Sequence, residues 1–310
     1  MKWWHKFLIS LGVGYILFFF SESMFWARFK PEDTLEGLFG TWLVYSACGF
    51  VLLMLIDRFR IDGFWALFLA GGLFGWLVEG VVVQTVYEEL PYSISFTALS
   101  WHGLISVIVG VYLLRRALVF WPWWGSLLLS LGLGIVEGGW AIWWWREAPP
   151  TPPWAYFAFI GTGTLLLMFW MWVIGRMPSG RFSIHRRWLW IALALISLLF
   201  FLVAMLIPVA ALVLPPFVLL TLAALSQYPK IASEEGLFTW YTRPVKGFNW
   251  ATLALLPLAA AGVYTLAYRA RIDFPSHQMV FVLTMPAGFI LWLIGLVKIF
   301  SKAEGRADSP

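Results

Sequence analysis

The stretch 188-WLWIALALISLLFFLVAMLIPVAALVLPPFVLLTLAALS-226 runs for 39 residues without an ionisable side chain. A bilayer core of about 30 Å needs roughly 20 apolar residues per helix, and one helix of this length would reach about 60 Å. The stretch must therefore fold back on itself, at Pro208 or at the pair Pro215-Pro216, because proline removes a backbone donor. It is read as two spans joined by a tight apolar turn.

Outward from it, eight more apolar runs have the length of one span: 7–26, 37–56, 63–87, 94–114, 118–145, 154–175, 250–268 and 278–300. The count is ten, and the expected fold class is all-α, a polytopic membrane helix bundle. Composition supports this, with 61% hydrophobic and 12% charged residues, against roughly 45–50% and 25% in a soluble domain. A mean hydropathy of +0.82 agrees. The single cysteine, Cys48, lies in an apolar run, so no intrachain disulfide or cysteine-based metal site is expected. The net charge of +5 would suggest nucleic acid in a soluble protein. In a membrane protein it reflects Lys and Arg retained on the cytoplasmic side, so no nucleic-acid partner is expected.

Charge counting tests the number of spans. With ten, and the N-terminus inside, inner segments hold 16 of the 21 Lys and Arg; with 188–226 as one span the division falls to 12 against 9. The positive-inside rule thus favours ten helices, both termini cytoplasmic, in a plasma (inner) membrane. Lys2 and Lys6, the apolar stretch after them, and Ser21-Glu22-Ser23 have the outline of a secretory signal. Bulky Phe25-Trp26 follows too closely for a good cleavage site, and the segment is kept as the first helix. Trp3-Trp4, Trp121 with Trp123-Trp124, Trp143 to Trp145, and Trp188 with Trp190 mark helix ends as interfacial belts.

An offset of 58 residues places Val78-Glu79-Gly80 on Val136-Glu137-Gly138, Trp65 on Trp123, Glu89 on Glu147, Pro91 on Pro149 and Gly103 on Gly161. Residues 63–116 and 118–176 therefore read as two copies of a helical hairpin. A looser third copy is 7–58, with Glu22 on its ascending helix. The expected organisation is a six-helix polar half, 1–176, and a four-helix apolar half, 188–310. The latter contains a cytoplasmic loop, 227–249, and a C-terminal tail, 301–310.

An ionisable residue inside a span is costly and usually faces the bundle interior. Glu79, Glu137 and His102 each fall eight residues from an outer helix end, about 12 Å deep at 1.5 Å per residue. Glu22 lies above them. Stripes of small residues, Gly71-Gly75-Glu79, Ser130-Gly134-Gly138 and Ala98-His102-Ser106, place all three at helix seams. Trp76, Trp101 and Trp140 stand one to three positions away, an aromatic wall suited to a cation. The plainer alternative is that the acids and the histidine only hold helices together, with the tryptophans as ordinary bulk.

No His-Glu-x-x-His or Glu-x-x-His is present, so neither a metal nor another cofactor is expected. Glu88-Glu89 followed by His102 lacks the arginine that CAAX-type intramembrane proteases carry after their acid pair; Leu90-Pro91-Tyr92-Ser93 stands there. Three functional expectations follow. One is a proton- or cation-coupled small-molecule transporter, with Glu79 and Glu137 exchanging protons and His102 relaying them. Another is a membrane-embedded enzyme on a lipid or isoprenoid substrate, with the same groups as acid and base. The third is a subunit of a membrane complex without chemistry of its own. The partners expected are the lipid bilayer and a small-molecule or lipid substrate; substrate, coupling ion and oligomeric state are not encoded in these patterns. A topology reporter joined after Pro310 is expected to read cytoplasmic, and an external reading would mean that 188–226 is one span.

Overall fold

The computed structural model describes residues 1–146, 149–228, 236–272 and 275–307. Glu147, the loop residues 229–235 with Lys230 and Glu234-Glu235, and the tail residues 308–310 lie outside them. Among the described residues are ten helices long and apolar enough to cross a membrane and no strand. They are α1 (Trp3–Trp26), α2 (Leu35–Arg58), α3 (Phe64–Val82), α4 (Ser93–Phe120), α5 (Trp123–Trp145), α6 (Pro153–Ile174), α7 (Arg186–Leu206), α8 (Ala210–Gln227), α9 (Asn249–Ala270) and α10 (Ser276–Ala303). Ten such helices mark an integral membrane protein. Below, the termini face is the one on which α1 begins, and the distal face carries the turns after α1, α3, α5, α7 and α9.

The apolar block 188–226 breaks at Pro208. Helix α7 ends at Leu206, the Ala210 N–H donates to Ile207 O at 2.9 Å, and α8 continues through Pro215 and Pro216. A second boundary differs from the sequence reading. The third apolar run was expected to continue to residue 87, but α3 ends at Val82. Gln84 takes a left-handed conformation with φ 71°, and Thr85–Tyr87 forms a 3-10 turn. Glu79 is therefore three residues from its helix end rather than eight.

Helices α1, α3 and α4 form the interior, whereas α7 lies at the periphery with its leucines exposed to lipid. The closest pairings are α3 with α4, α5 with α9, and α1 with α2; α10 lies along α3 and α4, and α9 also packs on α6. Helix α8 also packs on α3 through Leu214 and Phe217, so helices from the apolar half of the sequence rest directly on helices of the first half. Glycines set the closest approaches. A Cβ on Gly75 would lie 2.1 Å from the Ala98 carbonyl oxygen of α4. One on Gly138 would lie 2.4 Å from the Ala260 carbonyl oxygen of α9. The small-residue stripes therefore do bring backbones together, but Gly71 and Gly75 meet α4 while Gly134 and Gly138 meet α9.

Three helices are π-helical over part of their length, and α5 ends in a 3-10 segment, Ala141–Arg146. Phe19–Ser23 in α1, Val78–Val82 in α3 and Phe96–Leu114 in α4 are π-helical. Indole N–H groups from neighbours bond to carbonyls at these places and at the nearby helix ends. Trp101 donates to Phe20 O at 3.1 Å and to Ser21 O at 3.2 Å. Trp140 reaches Phe25 O at 2.8 Å, and Trp76 reaches Ile94 O at 3.1 Å. Trp143 and Trp144, expected at the interface, are instead buried among Phe25, Trp26 and His277.

At the termini end of α4, Arg115 is fully buried. Its guanidinium donates to three backbone carbonyls: Tyr241 at 2.9 Å, Met171 at 2.9 Å and Arg243 at 2.6 Å. These contacts fasten α6 and the short helix Phe238–Tyr241 to α4. Asn249 adds bonds to Leu118 O and Trp121 O, both at 3.1 Å.

The glycine seams give a paired test. Gly75→Val drives side-chain atoms into the α4 backbone, where overpacking costs about 1–3 kcal/mol or more. Gly132, on the exposed face of α5, has nothing within 4 Å of a Cβ. Gly75→Val is expected to lower the melting temperature in detergent sharply, and Gly132→Val to leave it unchanged.

Candidate functional site

The π-helical segments carry one cluster of the interior's polar groups. Ser21 and Glu22 lie on that of α1, Glu79 on that of α3, and His102 and Ser106 on that of α4. A π-helical turn admits one extra residue, which changes the direction of the side chains that follow; such turns recur at functional sites. Here the three meet. His102 Nε2 lies 2.6 Å from Glu79 Oε1, and His102 Nδ1 lies 2.8 Å from Ser21 Oγ. Ser21 Oγ is 2.8 Å from Ser106 Oγ, and Ser106 Oγ lies 3.3 Å from the Trp101 carbonyl. The second Glu79 oxygen accepts from the Thr85 hydroxyl in the turn beyond α3. Phe74 and Tyr45 flank the imidazole, with ring centroids 5.7 and 6.3 Å from it.

The chain of groups is satisfied in two proton arrangements. With His102 neutral, its Nε2–H donates to Glu79, and its Nδ1 accepts from Ser21, which accepts from Ser106. With His102 protonated, Nδ1–H donates to Ser21, Ser21 donates to Ser106, and Ser106 donates to the Trp101 carbonyl. The change requires two hydroxyl rotations and no displacement of heavy atoms. An added proton therefore leaves no buried polar group in this chain unpartnered, which is unusual where an unmade bond costs about 1–3 kcal/mol.

Glu22 stands beside this chain. Its carboxylate accepts from Tyr45 OH at 2.7 Å and from Trp26 Nε1 at 3.0 Å. The distal turn covers Glu79: Tyr87 OH donates to Gly80 O at 2.9 Å, and Ser93 Oγ donates to Val86 O at 2.5 Å. Burial pushes the Tyr87 phenol up to about 12.

Glu137 is placed differently. It is buried at the meeting of α5, α6 and α9, within electrostatic reach of Tyr156 on α6. Its Oε1, the Tyr156 hydroxyl and the Ser130 hydroxyl have no hydrogen-bond partner among the described residues. The structure brings Glu79 and His102 into one network, sets Glu22 next to it, and bonds Glu137 to neither. Trp101 and Trp140 stand between the two locations with ring centroids 4.8 Å apart. The indole N–H groups of Trp76, Trp101 and Trp140 all serve backbone carbonyls. The cations found over indole faces among the described residues are the chain's own, Lys30 over Trp26, Arg28 over Trp144, Arg176 over Trp172 and Arg186 over Trp190.

Sequence reasoning did not find Ser21 or Thr85 as partners of the pair. Ser21 had been noticed only for its resemblance to a cleavage-site residue, yet it is 4% exposed. No group of three or more His, Cys, Asp or Glu suited to a metal occurs among the described residues. No protein-family model, curated protein or solved structure matches the chain.

The two acids should respond oppositely to removal. Glu79→Leu leaves His102 Nε2 and the Thr85 hydroxyl without their acceptor, at about 1–3 kcal/mol for each stranded group. Glu137→Leu removes a desolvated carboxyl whose Oε1 already lacks a partner. Thermal unfolding in detergent is expected to show a clear loss of stability for Glu79→Leu and none, or a gain, for Glu137→Leu.

Proposed function

We propose that this is a proton-coupled small-molecule transporter of the plasma (inner) membrane, and that Glu79 and His102 are its proton-exchanging pair. The observation that supports this reading is the hydrogen-bond chain Thr85–Glu79–His102–Ser21–Ser106, which remains closed whether or not His102 carries a proton. A carrier that binds and releases a proton in each cycle needs such a site, because an ionisable group in a span is costly when left without partners. Glu79 holds the pair's negative charge three residues from the distal end of α3, and Thr85 closes it from the turn. Opening that turn would give the pair access to the distal face, and a cationic substrate would compete with the proton for Glu79. In this reading both termini are cytoplasmic, and the hairpins 63–116 and 118–176 descend from one unit. The second hairpin has been adapted to receive α9, with Glu137 as its counterpart of Glu79.

A second reading has its own observation. Ser21 Oγ, His102 and Glu79 form a serine–histidine–carboxylate series with both hydrogen bonds in place. In an enzyme, His102 Nδ1 would take the Ser21 proton as the hydroxyl attacks an ester's acyl carbon, and would return it to the alcohol oxygen as the ester C–O bond breaks. Glu79 would accept from Nε2–H and stabilise the imidazolium. The substrate class would be an acylated lipid entering from the bilayer.

Proteoliposomes enclosing a pH-sensitive dye distinguish the two. A panel of organic cations added under an imposed pH gradient is expected to move protons in the wild type. Glu79→Gln, verified as folded, is expected to reduce that flux at least tenfold, and Ser21→Ala, which leaves His102 Nδ1 without its partner, to reduce it by a smaller factor. A wild type silent to the panel, with Ser21 labelled by a fluorophosphonate and unlabelled in His102→Ala, would replace the transporter reading with the hydrolase.

A further inference from the structure

A cavity of about 610 Å³ lies away from the Glu79–His102 network, between the first turns of α1, the middle of α2 and the start of α7. Phe7, Leu11, Leu43, Ala47 and Phe50 give it an apolar wall, and Ser10 and Ser46 are the polar groups within that wall. Along α1 it runs from Trp3 to Leu11, about 12 Å at 1.5 Å per residue. It opens sideways: Trp3, Phe7 and Trp188 on its rim are 75%, 53% and 55% exposed. In a membrane-spanning protein that opening faces acyl chains rather than water.

The mouth has a different chemistry. Lys6 and His185 line it, and Lys2, Arg186 and Arg187 are exposed beside it in the sequence. The Lys6 ammonium donates to the Ser183 carbonyl, which leaves two of its three hydrogens for another acceptor. His185 Nδ1 accepts from the Arg187 N–H at 3.2 Å. In the neutral ring the hydrogen is therefore on Nε2, a second donor. The acid within electrostatic reach is Asp57, which is shared between Lys6 and Arg181. Cations exceed acids at the mouth, and an apolar slot continues inward from it. Trp3 and Trp188 flank the boundary at which a headgroup would sit.

We propose that this cavity is a binding site for an anionic phospholipid of the leaflet on the termini face. One acyl chain lies in the slot between α1 and α2, and the phosphate sits at Lys6 and His185. The volume falls within the roughly 300–1,000 Å³ of ordinary ligand sites. Charge complementarity selects an anionic over a zwitterionic headgroup, since each Lys or Arg near the surface favours anionic lipid by about fivefold. The proposal rests on the membrane-spanning reading alone and is independent of what Glu79 and His102 do.

Native mass spectrometry of the purified full-length protein tests it, with mixed micelles holding equal phosphatidylglycerol and phosphatidylcholine. The wild type is expected to retain one lipid, with phosphatidylglycerol favoured at least fivefold. The double variant Lys6→Gln with His185→Gln should keep a lipid but bring the preference close to one. Ala47→Trp, which fills the slot, should lose the retained lipid altogether. Leu43→Trp serves in its place if Ala47→Trp has a lowered melting temperature. Equal retention of the two lipids by the wild type would overturn the proposal. So would undiminished retention in a folded slot-filling variant, because the lipid would then be annular only.

Discussion

Within a bilayer every backbone N–H and C=O must find its partner inside the protein, because no water is available to take the place of a missing bond. That constraint governs this bundle more than any side-chain contact. Three of its helices are π-helical over part of their length, and the ends of α1 and α3 break early into irregular turns. Such departures persist only where a neighbour supplies a donor. The tryptophans do this: Trp101 for Phe20 O and Ser21 O, and Trp140 with Trp144 for Phe25 O. Indole suits the task, since its ring is apolar enough for a bundle interior and its N–H is a donor only. Part of the chain's large tryptophan content is thereby accounted for by backbone irregularity rather than by interfacial anchoring.

The same economy applies to the two most buried charged networks. Arg115 receives no carboxylate among the described residues; three carbonyls at chain ends and turns accept its hydrogens instead. Met171 lies in the last turn of α6, where the helix dipole is negative, and its carbonyl accepts from the Gly175 N–H at 3.1 Å as well as from the guanidinium. The guanidinium thus satisfies the backbone while the backbone offsets its charge. Glu79 and His102 are arranged conversely, as a side-chain pair closed by hydroxyls from α1, α4 and the distal turn. The first arrangement is static, because each acceptor is fixed in the main chain. The second contains rotatable hydroxyls, so it tolerates a change of charge without repacking.

Much of this fold was legible in the sequence. The 39-residue apolar block could not be one helix, and charge asymmetry favoured ten spans, the number present among the described residues. The burial of Glu79 and His102 inside the bundle followed from the cost of ionisable groups in lipid, and Gly71 and Gly75 correctly marked the α3–α4 seam. What could not be read was phase. In runs where nearly every residue is apolar, helical periodicity carries no signal, so a shift from α to π geometry leaves no trace in the pattern. Ser21 became a partner of His102 through such a shift. Thr85 was assigned to a span because Val82-Val83 continue the apolar run, although Gln84 turns the chain back over Glu79. Aromatic residues were equally ambiguous: Trp143 and Trp144 have the composition of an interfacial belt and the location of a core.

Glu79 and Glu137 show how far sequence context determines the role of a buried acid. Both sit in the tripeptide Val-Glu-Gly, on an ascending helix, with small residues on the adjacent face. Their surroundings differ because the neighbours differ. Against α3 lies α4, which presents His102, and the distal turn presents Thr85. Against α5 lies α9, whose backbone at Leu256 and Ala260 and side chains of Ala259 and Val263 come closest to Gly134 and Gly138. A carboxyl with donors on both oxygens is held as an anion in a fixed place. Glu137 has no hydrogen-bond partner at Oε1 among the described residues, and a buried polar group without one is costly. The local sequence fixes where an acid enters the bundle, and the helix that packs against it decides whether the acid can carry charge. In this chain His102 on α4 and Thr85 in the distal turn both partner Glu79, whereas among the described residues no group bonds Glu137 Oε1.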